Sequence, residues 1–292
     1  MKAVSLVSDG ESTCSPHFYD AILRGHENGL DMAVGTNGYL LDSEGLEKIL
    51  PALTYIRFNI SAADPKRYAQ IHGCSEKCFD KVYNNIKECI RIKKSKNLSV
   101  TIGLQMVFLP DFIDQVMPLA EMGKELGVDY VIFKHCSDDE TGSLKVDYKQ
   151  YSQCVDVLKE AQGLSTDSCQ ISVKWSKILS EGKRIYSRCF VPAFIMQFSG
   201  SGLVAPCGML FNNKYSKYHI GNIAEQSFKD IYRSQKYWDV LHLIASDKFD
   251  ARCMCGTLCL QHKVNEFLWD LVNNKFSLET PKGQKPLHIN FI

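Results

Sequence analysis

The sequence predicts an α/β protein in which helices cover a parallel sheet, followed by a second, smaller domain. Within the first 175 residues, short apolar runs rich in Val and Ile alternate with helical stretches. This βα alternation is typical of a parallel sheet, either a barrel or an open doubly wound sheet. The predicted strands are KAVSLVS, DMAVG, YIRFNIS, SVTIGLQMVF, DYVIFKH and QISVKW.

Helices are predicted between these strands from periodicity and from signals at their ends. Ser15-Pro16 and Asp42-Ser43 are suited to cap helix N-termini, and Gly29 and Gly127 are suited to end helices. The helical stretches are predicted at roughly 16–28, 43–50, 76–96, 111–126 and 147–162.

The pattern changes near residue 180, which predicts a first domain over 1–180 and a second over 181–292. FIMQFSGSGLVAPCG is typical of a hairpin with a Gly-Ser turn. QSFKDIYRSQKYWDVLHLIAS and LCLQHKVNEFLWDLVNN are predicted to be amphipathic helices. Five of the twelve cysteines lie in this second part.

Charge and hydropathy argue against several classes of partner. Lys and Arg total 34 against 33 Asp and Glu, so no global field favours nucleic acid or an anionic membrane. The N-terminal run becomes acidic too soon for a signal peptide, and no apolar run reaches about 18 residues. We therefore predict a cytoplasmic protein with no nucleic-acid or membrane partner. Thiols stay reduced in that compartment, so the cysteines are expected to bind metal or be buried.

Polar residues end the predicted strands, and in parallel α/β sheets function collects at these carboxyl ends. The first strand ends in an acid, and the fifth ends in Lys134-His135. Asn-Gly and Asp-Gly are also turn formers, so ordinary loop chemistry is the alternative at any single corner. Five polar corners in strand order favour a binding site. The candidate binding residues are Gly10, Glu11, Thr36, Asn37, Ser61 and Gln105.

The cysteines of the second part predict a metal site. Three of them fall in CMCGTLC, and two more lie upstream. Thiolates at this density suit zinc or an iron–sulfur cluster. A zinc ribbon more usually shows two Cys-x-x-Cys knuckles, which are absent here; buried free thiols are the remaining alternative. The candidate ligands are Cys189, Cys207, Cys253, Cys255 and Cys259.

Taken in order, these segments resemble the radical S-adenosylmethionine (radical SAM) enzymes that carry a C-terminal SPASM or twitch auxiliary-cluster domain. SDGEST resembles the family's Gly-Gly-Glu-Pro-like corner, which implies that Gly10 and Glu11 bind the amino group of SAM. VGTNGYLL resembles the family's Thr-Asn-Gly segment. RFNISAADPKRY resembles the strand that contacts the ribose and carboxylate, implicating Ser61. TIGLQMVF, with Gln105, resembles the strand that lines the adenine pocket.

The second domain resembles a reduced SPASM domain. Cys189, twelve residues, Gly202, four residues and Cys207 fit the opening motif, and CMCGTLC resembles the closing cysteine cluster. One cubane takes four cysteines, so the resemblance implies one auxiliary 4Fe–4S cluster. The preferred ligands are Cys189, Cys207, Cys255 and Cys259, with Cys253 the fifth candidate.

One departure from the family concerns the Cys-x3-Cys-x2-Cys loop that holds its catalytic 4Fe–4S cluster, which this sequence lacks. CSEKC matches one interval but has no third cysteine. We expect a chain truncated before that loop, with a catalytic cluster only if a missing N-terminal segment exists. The expected fold is a partial (β/α) TIM-like barrel without its first strand, joined to a small C-terminal α+β SPASM/twitch domain.

The resemblance implies SAM binding and a 5′-deoxyadenosyl radical that abstracts hydrogen from an unknown small-molecule or peptide substrate. An active enzyme would take electrons from a donor such as flavodoxin or ferredoxin. Two alternatives remain. One is an inactive or truncated chain that keeps SAM-pocket remnants and an auxiliary cluster, and the other is a structural zinc module.

Overall fold

The computed structural model describes residues 1–7, 10–138, 141–255, 259–279, 282–283 and 288–291. The chain divides into two compact units. Unit 1 comprises Met1–Cys136 and Asp147–Leu179 together with Phe291, and unit 2 comprises Ser137–Val146 and Ser180–Asn290. Each unit is described by itself below.

Unit 1 is built on a six-stranded parallel sheet whose strands follow the order of the chain. This confirms the predicted α/β class, and each of the six predicted runs supplies one strand. β1 and β6 are the edge strands of the sheet. The strands are β1 Ala3–Leu6, β2 Asp31–Thr36, β3 Leu53–Asn59, β4 Thr101–Phe108, β5 Tyr130–His135 and β6 Gln170–Val173.

Helices follow the strands, and five of them fall within the five predicted stretches. The first residues of the last two stretches form 3-10 helices, Pro110–Gln115 and Tyr148–Cys154, rather than α-helix. α1 packs against β2, and α5 packs against β5. The helices of unit 1 are α1 Phe18–Glu27, α2 Ser43–Ile49, α3 Pro65–His72, α4 Lys77–Ser95, α5 Val116–Leu126, α6 Val155–Gly163 and α7 Trp175–Ile178.

α3 was not predicted, although its sequence carries both terminal signals. Asp64 accepts a hydrogen bond from the Arg67 amide at 2.9 Å, and Pro65 takes the first helical position. Gly73 ends the helix in the left-handed conformation, at φ +64°. The helix is only eight residues long, too short for its periodicity to stand out.

The two faces of the sheet differ in burial, as β3 illustrates. Ile56 and Phe58 are fully buried, whereas Tyr55, Arg57 and Asn59 on the opposite face are partly exposed. Because side chains alternate along a strand, one face belongs to the core and the other remains accessible. The face that carries Tyr55, Arg57 and Asn59, with their register partners on neighbouring strands, is called the open face below.

Unit 2 has a three-stranded antiparallel sheet in the order β7-β8-β9. β7 and β8 form the predicted hairpin through the Gly-Ser turn. The first predicted helix of this part is broken in two at Ser234, whose hydroxyl caps the second helix by accepting from the Tyr237 amide. The elements are β7 Gln197–Phe198, β8 Leu203–Ala205, β9 Gly221–Asn222, α8 Phe228–Arg233, α9 Gln235–Ile244, α10 Ala251–Met254 and α11 His262–Val272.

The strands of unit 2 are short, and much of its core comes from α9 and from loop aromatics. Tyr218 and Phe249 are almost fully buried and meet edge to face, with ring centroids 5.7 Å apart. Cys189, Cys207 and Cys255 pack against this core. The structure thereby attaches the candidate metal ligands to the hydrophobic core of unit 2. In neither unit is any described helix both long and apolar enough to span a bilayer.

Candidate functional site

Glu11 joins the ends of β1 and β2. It precedes the 3-10 turn Ser12–Cys14 and caps it, accepting from the Thr13 amide at 3.1 Å and the Thr13 hydroxyl at 2.8 Å. The same oxygen, Oε1, accepts from the Thr36 hydroxyl at 2.7 Å, and Oε2 accepts from the Asn37 amide at 2.7 Å. Three of the predicted site residues, Glu11, Thr36 and Asn37, are therefore in direct contact.

The turn after β2 is fixed independently of Glu11. The Thr36 hydroxyl accepts from the Gly38 amide at 2.9 Å, and Asn37 Oδ1 accepts from the Tyr39 amide at 2.9 Å. Gly38 has φ +77°, and a Cβ there would lie 2.6 Å from the ring of Phe58, so glycine is required. Asn85 of α4 donates to the Gly38 carbonyl oxygen at 2.7 Å. The turn is thus held rigidly beneath the Glu11 carboxylate.

Ser61 follows the carboxyl end of β3, and Gln105 lies within β4 in register with Asn59 of β3. The Ser61 hydroxyl donates to the Val107 carbonyl oxygen at 3.2 Å, and its amide donates to His72 Nε2 at 3.2 Å. Burial lowers the pKa of His72, which favours the neutral ring that this acceptor role requires. Gln105 donates to Asn59 Oδ1 at 2.7 Å. Within the described residues, neither Ser61 nor Gln105 is hydrogen-bonded to the Glu11 corner.

The Glu11 corner has the chemistry needed to bind an ammonium group. The Glu11 side chain forms no ion pair with any Lys, Arg or His among the described residues, and the groups that donate to it there are neutral. Oε2 accepts one hydrogen bond from the described part of the chain, which leaves acceptor capacity. A Cβ at Gly10 would meet nothing within 4 Å, so the space beside the backbone is open. The corner fits the amino group of SAM.

Four of the five candidate cysteines of unit 2 influence one another electrostatically. Burial and then the neighbouring thiol of Cys259 raise the pKa of Cys189 to about 12. Burial, together with the thiols of Cys255, Cys259 and Cys189, raises the pKa of Cys207 far above its usual range. Thiols this close repel one another once deprotonated, unless a cation holds them. The four therefore fit a site that iron would complete.

Cys253 stands apart from this group. Its side chain is exposed, and it is not among the groups that shift the pKa of Cys189, Cys207 or Cys255. The sequence left Cys253 as a fifth candidate ligand, and its exposure distinguishes it from the other four. No three His, Cys, Asp or Glu side chains in the described part of the chain are arranged to hold a single metal ion.

Arg184 was not among the predicted site residues, yet it acts on two of the thiols. Burial raises the pKa of both Cys189 and Cys255, and the charge of Arg184 opposes each rise. The resulting pKa of Cys255 is about 11. Its guanidinium donates to the Ala251 carbonyl oxygen at 3.2 Å, which anchors it at the first residue of α10. A cation beside four thiolates lowers their mutual repulsion. The one signal of Arg184 in the sequence was its position, five residues before the candidate ligand Cys189.

Tyr186 and His262 form a buried polar pair near the same thiols. Tyr186 Oη lies 3.0 Å from His262 Nδ1, and both residues are about 1% exposed. Burial and the thiol of Cys259 raise the pKa of Tyr186 far above its usual range. Asn265, one turn along α11, donates to the Arg188 carbonyl oxygen at 2.8 Å and accepts from the Phe190 amide at 2.7 Å. These bonds fix the chain on both sides of Cys189.

Comparison with known families and structures agrees with this arrangement. The SPASM family, an iron–sulfur cluster-binding domain, matches residues 189–259, so the match begins and ends at two of the four grouped cysteines. Solved structures with bound S-adenosylmethionine match the fold over 82% and 87% of the chain. The chain has the fold of radical SAM enzymes, and residues 189–259 resemble a SPASM domain. No sequence among curated proteins is significantly similar to it.

Two solved proteins illustrate the likeness. Streptococcus suis SuiB bound to S-adenosylmethionine superposes with a TM-score of 0.61 at 15% identity, over 82% of this chain and 56% of SuiB. SuiB bound to its precursor peptide SuiA superposes with a TM-score of 0.60 at 14% identity, over 82% of this chain and 56% of SuiB. anSMEcpe with bound AdoMet and the Kp18Cys peptide superposes with a TM-score of 0.55 at 14% identity, over 84% of this chain and 70% of anSMEcpe. The chain thus spans little more than half the length of SuiB.

Proposed function

We propose that this protein is a radical SAM/SPASM-type oxidoreductase that binds SAM at the Glu11 corner and one auxiliary 4Fe–4S cluster at four cysteines of unit 2. When a catalytic cluster is present to reduce it, bound SAM would supply the 5′-deoxyadenosyl radical that abstracts a hydrogen atom from substrate. The observation that carries the proposal is the Glu11 carboxylate, which is held by neutral donors and has no cationic partner among the described residues.

Each residue of the corner has a distinct part in binding SAM. Glu11 accepts hydrogen bonds from the SAM ammonium, and a charge-assisted bond of this kind is about twice as strong as a neutral one. Gly10 leaves room for the methionine to approach the backbone. Thr36 and Asn37 keep the carboxylate oriented through their bonds to its two oxygens. Ser61 and Gln105 are proposed to contact the remainder of SAM from β3 and β4.

The auxiliary cluster is proposed to bind Cys189, Cys207, Cys255 and Cys259, with Arg184 offsetting part of its negative charge. Such a cluster supplies an electron acceptor for a substrate radical, or a ligand for substrate. The protein contributes the position and burial of these thiols. It buries three of the thiols against the unit 2 core, and it holds the Cys189 amide on the Ile244 carbonyl oxygen at 3.2 Å.

The catalytic cluster does not fit the residues of this sequence, because no Cys-x3-Cys-x2-Cys loop occurs in it. Cys74 and Cys78 match one interval, but Lys81 stands where the third ligand would be. We therefore derive no step through that cluster. The second candidate function is a catalytically inactive protein that binds SAM and carries the auxiliary cluster alone.

A peptide is the substrate class that we favour over a small molecule, on the analogy of SuiB and anSMEcpe, which were solved with peptides bound. The enzyme is proposed to take electrons from a flavodoxin or ferredoxin. It is also proposed to work in the cytoplasm, where the thiols stay reduced for cluster assembly.

The test is anaerobic reconstitution with iron and sulfide, followed by SAM and a reduced flavodoxin. Formation of 5′-deoxyadenosine that is abolished by Glu11→Gln and retained by the matched surface variant Glu27→Gln establishes the radical enzyme. SAM binding that depends on Glu11, with about four irons per chain and no 5′-deoxyadenosine, establishes the second candidate instead. Failure to bind SAM contradicts both.

A further inference from the structure

Three cations lie near one another on the open face of the unit 1 sheet. Tyr130, Ile132 and Lys134 of β5 alternate with fully buried residues and belong to the open face. Val173 pairs with Phe133, and the Lys174 amide donates to the Phe133 carbonyl oxygen at 2.9 Å, so Lys174 lies beside Lys134. Arg57 is in register with Gly103, and Gly103 with Tyr130, which places Arg57 on the same face.

Among the described residues, no carboxylate neutralises these cations. Arg57, Lys134 and Lys174 form no ion pair with any Asp or Glu among the described residues, and Arg57 Nε is buried without a hydrogen-bond partner in that part of the chain. By contrast, Lys93 contacts both oxygens of Asp129, at 2.5 and 2.6 Å. The chain therefore does pair a partly buried lysine with an acid elsewhere in the same unit.

The ring of Tyr130 borders this group of cations. Gly103 has no side chain, and a Cβ there would lie 2.1 Å from the tyrosine ring, so the ring lies across the strand. Burial raises the pKa of Tyr130 to about 12, although the nearby Arg57 guanidinium opposes the rise. The phenol thus stays protonated at neutral pH and can donate a hydrogen bond to an anion.

The cations destabilise one another in the ligand-free protein. Burial, followed by repulsion from Lys177, Arg57 and Lys174, lowers the pKa of Lys134 to about 8. Burial and Arg57 also lower the pKa of Lys174. Partly buried like charges without a counterion are costly, and such arrangements are concentrated at functional sites.

We propose that Lys134 and Lys174, with Arg57 beside them, bind a carboxylate of the peptide substrate on the open face of the sheet. A carboxylate matches the planar guanidinium and offers its two oxygens to the two ammonium groups. Lys134 and Lys174 lie at the carboxyl ends of β5 and β6, the end at which α/β barrels bind substrate. The inference rests on the proposed function, because it names an anionic group on that enzyme's substrate.

The experiment observes the ammonium of Lys134 directly, without iron or turnover. Protein labelled with 13Cε-lysine is titrated with pH, and the signal that disappears in Lys134→Gln is assigned to Lys134. Saturating N-acetylglutamate is expected to raise the pKa of that signal by about 1 unit, since a bound anion favours the charged form. N-acetylglutaminamide, which has no carboxylate and is uncharged, is expected to leave it unchanged.

Matched variants test the geometry. The double variant Lys134→Gln/Lys174→Gln is expected to weaken N-acetylglutamate binding at least about 10-fold, as measured by calorimetry. Lys159→Gln, an exposed lysine on α6, is expected to bind like wild type. Equal binding by uncharged N-acetylglutaminamide, or by the double variant, overturns the proposal.

The carboxylate of SAM is the competing source of the same chemistry. If SAM shifts the Lys134 signal and N-acetylglutamate does not, the cations recognise the cofactor, and the substrate inference fails while the proposed function stands. If N-acetylglutamate binds but no 5′-deoxyadenosine forms, the enzyme proposal fails and the carboxylate subsite stands.

Thermal melting checks that the variant folds and tests the premise. The folded pKa of Lys134, about 8, is below the ordinary 10.5, so the unfolded chain binds more protons between these values and wild-type stability rises with pH there. The groups facing Lys134 are Lys177, Lys174, Arg57 and Cys136. Lys134→Gln is expected to melt above wild type at pH 7, with a smaller difference above pH 10. A melting temperature of Lys134→Gln below that of wild type at pH 7 would contradict the premise that the charge of Lys134 is not neutralised.

Discussion

The two candidate sites of this chain are held in opposite ways. In unit 1 the Glu11 carboxylate is fixed by neutral donors on a parallel sheet, and the arrangement is satisfied without any ligand. In unit 2 the grouped thiols raise one another's pKa and lie among strands of two or three residues. The first site is therefore preorganised, whereas the second is expected to depend on iron for its stability.

Removal of iron is expected to have the largest effect, and only in unit 2. Cluster binding contributes folding free energy wherever the ligands repel one another without it. Chelation should therefore increase hydrogen exchange in α9 by at least about 10-fold, or about 1.4 kcal/mol, because α9 contacts the Cys189 amide through Ile244. Exchange in β4 of unit 1 is the internal control and should not change. Equal protection of α9 with and without iron would show that unit 2 is preorganised too.

Glu11→Gln is expected to affect both binding and stability in unit 1. In the variant, the NH2 group of Gln faces donors that bond to a carboxylate in the wild-type protein. A partly buried donor is then left without an acceptor, which destabilises the fold by about 1–3 kcal/mol. Loss of the charge should weaken SAM binding about 10- to 100-fold, since a charge-assisted hydrogen bond contributes about 1.5–3 kcal/mol. Calorimetry and chemical denaturation measure the two effects. Glu27→Gln should change neither SAM binding nor stability. Unaltered SAM affinity in Glu11→Gln would show that Glu11 does not bind the ammonium group of SAM.

Gly103→Ala should destabilise unit 1 through packing alone. The new Cβ would lie 2.1–2.4 Å from ring atoms of Tyr130, so the ring must move. Overpacking of this kind costs about 1–3 kcal/mol in denaturant unfolding. The control is Gly163→Ala at the end of α6, where a Cβ meets nothing within 4 Å and alanine favours helix by up to about 1 kcal/mol. If both variants had the same unfolding midpoint, Tyr130 would not be packed on Gly103.

Acid pH is expected to have the smallest effect, on the contact between α2 and α4. Hydrogen bonds from Arg91 and then Ser43 lower the pKa of Glu88 to about 2. The folded pKa is below the ordinary 4.5, so this stabilisation is present above pH 4.5 and is lost as the pH falls toward 2. The Glu88 side chain is partly exposed and its partner Arg91 is exposed, so the effect should be small and weaken with salt. Glu88→Gln should flatten the acid side of the stability profile of unit 1; an unchanged profile would mean that the contact contributes nothing.

The sequence predicted the elements well because each strand and most helices carry local signals. Ser234 shows the limit: its capping role breaks a helix that periodicity alone would continue. Spacing and family resemblance grouped the cysteines, but only the folded chain separates exposed Cys253 from the other four. Arg184 was missed because its proximity to Cys189 and Cys255 depends on how distant segments of unit 2 pack.

The cations of the open face illustrate the same limit in unit 1. Lys134 was noted as a strand-end residue, but its neighbours come from β3 and from the segment after β6. Strand register brings them together, and no local pattern encodes that register. The sequence likewise identified Glu11 as a charged ligand contact without revealing that the same carboxylate joins β1 to the turn after β2.

The most direct test of the account is the iron and sulfide content of the anaerobically reconstituted protein and of its five single Cys→Ala variants in unit 2. The account predicts about four irons per wild-type chain, the same for Cys253→Ala, and loss of the cluster in the variants of Cys189, Cys207, Cys255 and Cys259. Zinc in place of iron, or equal dependence on Cys253 and Cys207, would contradict it.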